Sequence, residues 1–123
     1  MKNKNLSWEL ASEFMNTAFV KIGLSKADAK ICTEVLLESD RRGINSHGIN
    51  RFKPIYIDRI NAGILNPVTN LEVVRETPTT AVIDGNDGMG MVISTKAMQM
   101  AIDKAKKYGM GMVAVRNSSH YGI

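Results

Sequence analysis

The stretch NPVTNLEVVR, residues 66–75, divides the chain into two parts with different hydrophobic patterns. Before it, apolar residues recur at every third or fourth position, which is typical of helices that bury one face. After it come short segments rich in Val, Ile and Thr, which are typical of strands. Asn66 and Pro67 form the turn between the two patterns. We therefore predict a helical region at residues 1–66 and the truncated first part of an α/β domain at residues 67–123.

Two amphipathic helices are predicted before residue 44. Ser7 and Ser25 precede them and can accept hydrogen bonds from the free N–H groups of their first turns. Gly23 and Gly43 follow them, because glycine readily adopts the left-handed conformation that ends a helix. Cys32, the one cysteine of the chain, is interpreted as a small core residue of the second helix. The expected buried residues are Leu10, Ala11, Phe14, Ala18 and Ile22 in the first helix, and Ala27, Ile31, Val35 and Leu36 in the second.

A third helical stretch is expected to reach about Ala62. Asn45 or Ser46 can cap its start. Pro54 lacks an N–H group and disfavours helix at the preceding residue, so we expect the stretch to be broken there.

The second part of the chain is predicted to form strands at residues 71–75, 79–84 and 110–116. A turn is expected at residues 85–90, and a helix between this turn and Gly109. Helices first, and then strand, strand, helix and strand, indicate an α/β protein with an α+β layout in this chain, whose sheet needs further strands. The expected buried face of the later helix holds Ile93, Ala97, Met98, Ala101, Ile102 and Ala105.

The composition argues against several classes of partner. The net charge of +4 comes from scattered Lys and Arg pairs and not from a basic stripe, so we expect no nucleic-acid partner. No apolar run is long enough to cross a bilayer, so we expect no membrane partner. A lone cysteine is typical of a reducing compartment, and a cytoplasmic location is predicted.

Familiar cofactor and metal motifs are not recognised in the sequence. The glycines of GNDGMG, residues 85–90, follow G-x-x-G-x-G, the reverse of the dinucleotide fingerprint, and no Lys-Ser or Lys-Thr follows as in a phosphate-binding loop. Asp84 and Asp87 are explained by turn formation, and no His or Cys lies at the spacing of a metal site. We predict no metal and leave the cofactor-binding residues unassigned.

His47 is the first of two candidate catalytic residues. It is expected in the first turn of the third helical stretch, where free N–H groups disfavour protonation of an imidazole. Arg51 follows four residues later, so its guanidinium can share a face with His47 and bind a small carboxylate. The alternative is that Ser46 caps the helix, His47 makes a local hydrogen bond and Arg51 is solvated.

His120 is the second candidate. It follows the last predicted strand, at the edge where open α/β sheets bind ligands, and its neighbours in NSSHYG, residues 117–122, are hydrogen-bonding types. The alternative is a turn residue that closes the strand. Spacing alone does not decide between these interpretations.

Four blocks of the sequence resemble one protein family. They are DRRGINSHGINR at residues 40–51, INAG at 60–63 with NP at 66–67, DGNDGMG at 84–90 and VRNSSHYG at 115–122. In this combination and order they resemble the malate/L-lactate dehydrogenase family, of which this chain would be an amino-terminal fragment. The resemblance implies the sulfolactate dehydrogenase-like fold, with helices leading into a mixed-sheet α/β domain for cofactor and catalysis. That fold has no Rossmann fingerprint, in agreement with the reversed glycine pattern.

The resemblance also implies a function. Members use NAD or NADP to interconvert a small 2-hydroxy acid, of the malate or lactate type, and its 2-oxo acid, usually as a homodimer or a higher homo-oligomer. Relatives are much longer than this chain, so we expect the fragment to be inactive alone. A non-catalytic remnant or interaction module of the family is the alternative.

The resemblance implies roles for individual residues as well. His47 and His120 fall on the family's two active-site histidines, Ser46 and Arg51 on its substrate-binding segment, and Tyr56 on a further substrate-pocket position. Reduction of a ketone by hydride needs a proton for the developing alkoxide. We expect His120 to shuttle this proton, while His47 hydrogen-bonds the reacting oxygen and Arg51 anchors the carboxylate.

Overall fold

The computed structural model describes residues 5–122 and confirms helices followed by a mixed sheet. Residues 1–4 and 123 of the two predicted regions lie outside the described part, and the division at residue 66 stays a prediction. The elements are α1 (Trp8–Lys21), α2 (Lys26–Arg41), two 3₁₀ turns (Asn45–His47 and Ile49–Arg51), a π-helical segment (Phe52–Ile57), α3 (Asp58–Asn61), β1 (Glu72–Glu76), β2 (Thr80–Gly88), α4 (Gly90–Tyr108) and β3 (Met112–Ser118).

The predicted serine caps of α1 and α2 are confirmed. Ser7 Oγ accepts a hydrogen bond from the Leu10 N–H at 3.2 Å, and Ser25 Oγ accepts one from the Asp28 N–H at 3.1 Å. Each bond satisfies a first-turn N–H group that has no partner within its helix. The two helices therefore begin where the sequence predicts.

The predicted buried face of α1 is partly wrong. Met15 and Phe19 are completely buried, whereas Leu10 and Phe14 are 53% and 56% exposed. The helix carries apolar residues on two adjacent faces, and α2 with the π-helical segment covers the face that contains Phe19. Periodicity alone does not show which of two apolar faces has a packing partner.

The core position of Cys32 is confirmed. Its side chain is completely buried in α2, and burial raises the pKa of the thiol to about 12. A thiol that stays protonated is a poor nucleophile, so Cys32 contributes packing and not reactivity. Ala27, which was expected to be buried on the same helix, is exposed.

The helical stretch after α2 is broken, as predicted, and ends at Asn61. Pro54 lies inside the π-helical segment, where the usual hydrogen-bonding pattern is already interrupted. This segment buries Phe52 and Tyr56 against α1 and α2, so it belongs to the helical core.

The sheet has the order β1-β2-β3, with β1 antiparallel to β2 and β2 parallel to β3 through the α4 crossover. β2 extends to Gly88, so the turn expected at residues 85–90 begins within the end of the strand. Asn86 and Asp87 adopt positive φ angles of 48° and 55° where the strand register is irregular. Their turn-like composition therefore reflects left-handed residues inside a strand.

The sheet side of the molecule is less covered than the helical side. All five side chains of β1 are exposed, and so are Met98 and Ile102 of α4, which were expected to be buried. Only the first turn of α4 and Ala97 are buried, and the helix contacts α2, β2 and β3. Within residues 5–122, no helix combines the length and apolar character that a membrane span requires.

Candidate functional site

The fold brings the two histidines together. The ring centroids of His47 and His120 are 5.6 Å apart, and their planes are inclined by 26°. Both side chains are half-buried, so the pair is reachable from solvent. Tyr56 contacts His120, and Arg51 follows His47 by one helical turn. We call His47, His120, Tyr56 and Arg51 the histidine site.

The turn that carries His47 is anchored to the end of α2. Asp40 Oδ2 accepts a hydrogen bond of 2.8 Å from the Ile49 N–H, in the second 3₁₀ turn. Gly48 lies against the same carboxylate, and a Cβ at this position would overlap the Asp40 side chain. The SHG sequence therefore requires glycine for close approach, and Asp40 fixes the backbone next to His47.

The cap predicted at Asn45 or Ser46 is wrong. Ile44 precedes the 3₁₀ turn, no side chain caps the turn, and Ser46 Oγ instead contacts His47 Nδ1 at 2.9 Å. His47 is the last residue of this three-residue turn and not part of the first turn of a long helix. The expectation that a helix dipole keeps His47 neutral therefore has no basis in the fold.

The guanidinium of Arg51 is held by one hydrogen bond at Nε, and its two terminal nitrogens remain available. Its Nε donates a hydrogen bond of 2.6 Å to the Ser46 carbonyl oxygen, which leaves the two terminal nitrogens of the guanidinium. The side chain is half-buried, and it makes no ion pair within the described residues. Such a guanidinium is suited to bind a carboxylate from outside the chain.

The segment that carries His120 rests on the first turn of α4. Ser119 Oγ accepts a hydrogen bond of 2.8 Å from the Gly90 N–H, and a Cβ at Gly90 would overlap the backbone oxygens of Ser119 and His120. The glycine at residue 90 is thus needed for close approach of this segment. Its N–H group is bonded to Ser119 and is therefore not free for a pyrophosphate.

Two donors hold His120, the Gly122 amide and the Tyr56 hydroxyl, whose single hydrogen is shared between two acceptors. The Gly122 N–H donates to its Nδ1 at 3.1 Å, and Tyr56 Oη lies 3.1 Å from Nδ1 and 3.3 Å from the His120 carbonyl oxygen. A backbone N–H can only donate, so Nδ1 must accept, and the neutral ring carries its hydrogen on Nε2.

The surroundings of His120 favour the neutral ring. Burial lowers its pKa most, followed by electrostatic repulsion from His47, Arg51 and Arg59. Within the described residues no carboxylate is hydrogen-bonded to either histidine. The histidine site is therefore a cationic neighbourhood that suits an anionic ligand.

A second aspartate holds the strand that leads to His120. Asp84 accepts hydrogen bonds from the Asn86 N–H at 2.9 Å, Arg116 Nε at 2.8 Å and Asn117 Nδ2 at 2.9 Å. These bonds, the Asn86 one first, lower the pKa of the Asp84 carboxyl. Asp84 thus forms the predicted turn contact and also joins the carboxyl ends of β2 and β3. No group of three or more potential metal ligands is found in residues 5–122.

Sequence reasoning missed three residues near the histidine site. Arg59 contributes positive charge to His120, Asp40 anchors the His47 turn, and the Gly122 amide fixes the His120 tautomer. Asp40 and Gly122 stand inside the blocks that carry the family resemblance. Arg59 follows Tyr56 by three residues on a helical stretch, which was a usable signal.

Comparison with known proteins gives a consistent result. The sequence profile described as malate/L-lactate dehydrogenase matches residues 6–123. The chain is 48% identical to L-sulfolactate dehydrogenase of Methanocaldococcus jannaschii over 103 residues, which cover 84% of the chain and 30% of that relative. It is 46% identical to malate dehydrogenase of Pyrococcus abyssi over 110 residues, 89% of the chain and 30% of the relative.

Solved structures agree with these sequence matches. Malate dehydrogenase from Entamoeba histolytica superposes with a TM-score of 0.94 at 51% identity, covering 98% of the chain and 33% of that structure. Sulfolactate dehydrogenase from Methanocaldococcus jannaschii superposes with a TM-score of 0.92 at 44% identity. The match covers 96% of the chain and 34% of that structure. The chain thus spans about a third of the length of the proteins that it matches.

Proposed function

The chain belongs to the malate/L-lactate dehydrogenase family, and we propose that it forms part of a dehydrogenase that interconverts a small 2-hydroxy acid and its 2-oxo acid with NAD or NADP. The observation that carries the proposal is the convergence of His47 and His120 beside Arg51, with no carboxylate hydrogen-bonded to either histidine within the described residues. Such a site suits an acid substrate that exchanges a proton at its oxygen. A malate- or lactate-type acid is the proposed substrate, in keeping with the names of the relatives.

A nicotinamide would supply the hydride in this reaction. In the glycine-rich loop at residues 85–90, the Gly90 amide is bound to Ser119 and is not free for the cofactor's pyrophosphate. We therefore assign no cofactor contacts and derive only what the residues of the histidine site do.

We assign the proton shuttle to His47, which reverses the division of roles expected from the sequence. To act as a base, an imidazole needs a free lone pair, and His120 could offer Nε2 only with its hydrogen on Nδ1. The Gly122 N–H already points at that nitrogen, so two hydrogens would face each other. His47 Nδ1 instead meets the Ser46 hydroxyl, which can rotate to donate or accept as the ring changes protonation.

His120 then acts as a neutral donor. Its Nε2–H is the group left to hydrogen-bond the substrate oxygen, and it stabilises the negative charge that develops there without changing its own protonation state. Arg51 offers two terminal nitrogens to the substrate carboxylate, with Ser46 between it and His47. These roles are proposals for an enzyme that contains this segment.

We further propose a homodimer or higher homo-oligomer in the cytoplasm. The exposed β1 strand and the apolar residues exposed on α1 support a covering partner, since large exposed apolar surface is typical of interfaces. The lone buried thiol supports a reducing compartment.

The 123 residues alone are proposed to be inactive, because they span about a third of the relatives and leave the sheet open. A non-catalytic interaction module is the competing function. The test is a panel of 2-oxo acids with NADH and NADPH, followed by cofactor absorbance, on the 123-residue chain and on a full-length protein that carries it. We expect turnover only in the full-length protein. Turnover by the short chain would contradict the incomplete site, and inactivity of the full-length protein with every acid would favour the interaction module.

A further inference from the structure

Tyr56 is more deeply buried than is typical of a residue that binds substrate. Its side chain is completely buried, although its neighbours in the histidine site are half-buried. The hydroxyl bridges two atoms of one residue, the Nδ1 and the carbonyl oxygen of His120. It therefore links the ring of His120 to the backbone of the same residue.

We propose that Tyr56 is a positioning residue that holds the His120 imidazole against its own backbone, and that it does not contact substrate. The proposal rests on the proposed function, because it gives His120 a task for which ring orientation matters. A donor misplaced by a fraction of an ångström loses much of its effect on a developing charge.

The helical core determines where the Tyr56 hydroxyl lies. The Tyr56 ring packs edge-on against Phe19 of α1 at a centroid distance of 6.4 Å, and Phe19 packs against Phe52 at 4.9 Å. Burial raises the pKa of the Tyr56 hydroxyl, so it keeps a hydrogen to donate. The hydroxyl is thus a rigid donor that the helical part of the chain presents to a residue beyond β3.

The proposal predicts an effect on the titration of His120. The charged and titratable groups around this ring are His47, Arg51, Arg59 and Tyr56, and Tyr121 stacks against it at 6.3 Å. Removing the Tyr56 hydroxyl takes one donor from Nδ1, which makes protonation of the ring less unfavourable. The pKa of His120 should rise toward its ordinary value, while Gly122 still holds the hydrogen of the neutral ring on Nε2.

The test uses Tyr56→Phe, with Tyr108→Phe as the matched control. Tyr108 lies at the exposed end of α4 and contacts neither histidine. Imidazole proton and nitrogen shifts, followed by NMR against pH in the 123-residue chain, should show a raised pKa for His120 in Tyr56→Phe only. An unchanged His120 titration in a folded Tyr56→Phe chain would overturn the proposal.

A kinetic measurement decides the question if the short variant does not fold. In a full-length family member with the same tyrosine and histidines, Tyr56→Phe should lower kcat about tenfold, as expected for loss of one hydrogen bond, with little change in KM. A raised KM with unchanged kcat would show that Tyr56 binds substrate, against the proposal. Inactivity of the parent enzyme would refute the dehydrogenase function and leave the NMR result standing.

Discussion

His47 and His120 lie side by side, but the chain holds them by different means. The Nδ1 of His47 meets the Ser46 hydroxyl, which can donate or accept, whereas the Nδ1 of His120 meets the Gly122 amide, which can only donate. The Ser46 hydroxyl is compatible with either tautomer of His47, whereas the Gly122 amide holds the neutral His120 ring in a single tautomer. We propose that this difference in the partner of Nδ1 separates two roles that the residue type leaves identical.

Exchanging each histidine for glutamine gives the strongest test of this difference. In a full-length family member, His47→Gln should lower kcat by about a hundredfold or more, since general acid–base catalysis contributes that much. His120→Gln keeps a side-chain N–H donor, so we expect a loss of about tenfold. The measurement is kcat against pH.

The pH profiles distinguish the roles independently of the magnitudes. The His47→Gln profile should lose the ionisation of the proton shuttle, and the His120→Gln profile should retain it. If only His120→Gln removes the ionisation, the roles must be exchanged and the tautomer argument is wrong.

The segments that carry His47 and His120 also differ in how much stability is lost when their glycine is replaced by alanine. Gly90→Ala should lower the free energy of unfolding by about 3 kcal/mol, because its Cβ meets backbone oxygens of Ser119 and His120 that cannot move away. Gly48→Ala should cost less, about 2 kcal/mol, because the Asp40 side chain can turn aside, but only by giving up its hydrogen bond with the Ile49 N–H.

Urea unfolding of the 123-residue chain measures both changes. Lys96→Ala, an exposed substitution in α4, is the control and should stay within about 0.5 kcal/mol of the parent. Equal losses for the two glycine variants would mean that Asp40 is held as firmly as backbone.

The third comparison concerns the anchoring aspartates. Asp40→Asn should lower the free energy of unfolding by about 1 kcal/mol, since one backbone N–H loses a charged acceptor. Asp84→Asn should lower it further, because the new amide group faces donors on Arg116 and Asn117.

The stabilisation by Asp84 depends on pH with a defined sign. Its pKa is lowered in the folded chain, so the contribution is complete above the ordinary carboxyl pKa and is lost as the pH falls through the lower folded value. Unfolding measured across the acid range should therefore show a shallower loss of stability in Asp84→Asn than in the parent. Parallel curves would contradict the assignment.

Much of the fold could be predicted because its signals are local. The caps at Ser7 and Ser25 and the order of strands around α4 depend on neighbours within a few residues. The buried face of α1 could not be predicted, since Phe14 and Phe19 are equally apolar and only α2 and the π-helical segment decide which is covered. The end of β2 was missed because Asn86 and Asp87 have the composition of a turn.

The sequence by itself determined the residue types of the site: two histidines in turn-forming segments, an arginine one turn beyond the first, and a tyrosine nearby. It also determined the family, through four short blocks. Only the tertiary structure decided that the two rings meet and that the Tyr56 hydroxyl reaches His120. The physical reason is that residue type and spacing act along the chain, whereas the protonation of a ring depends on donors and charges that reach it through space.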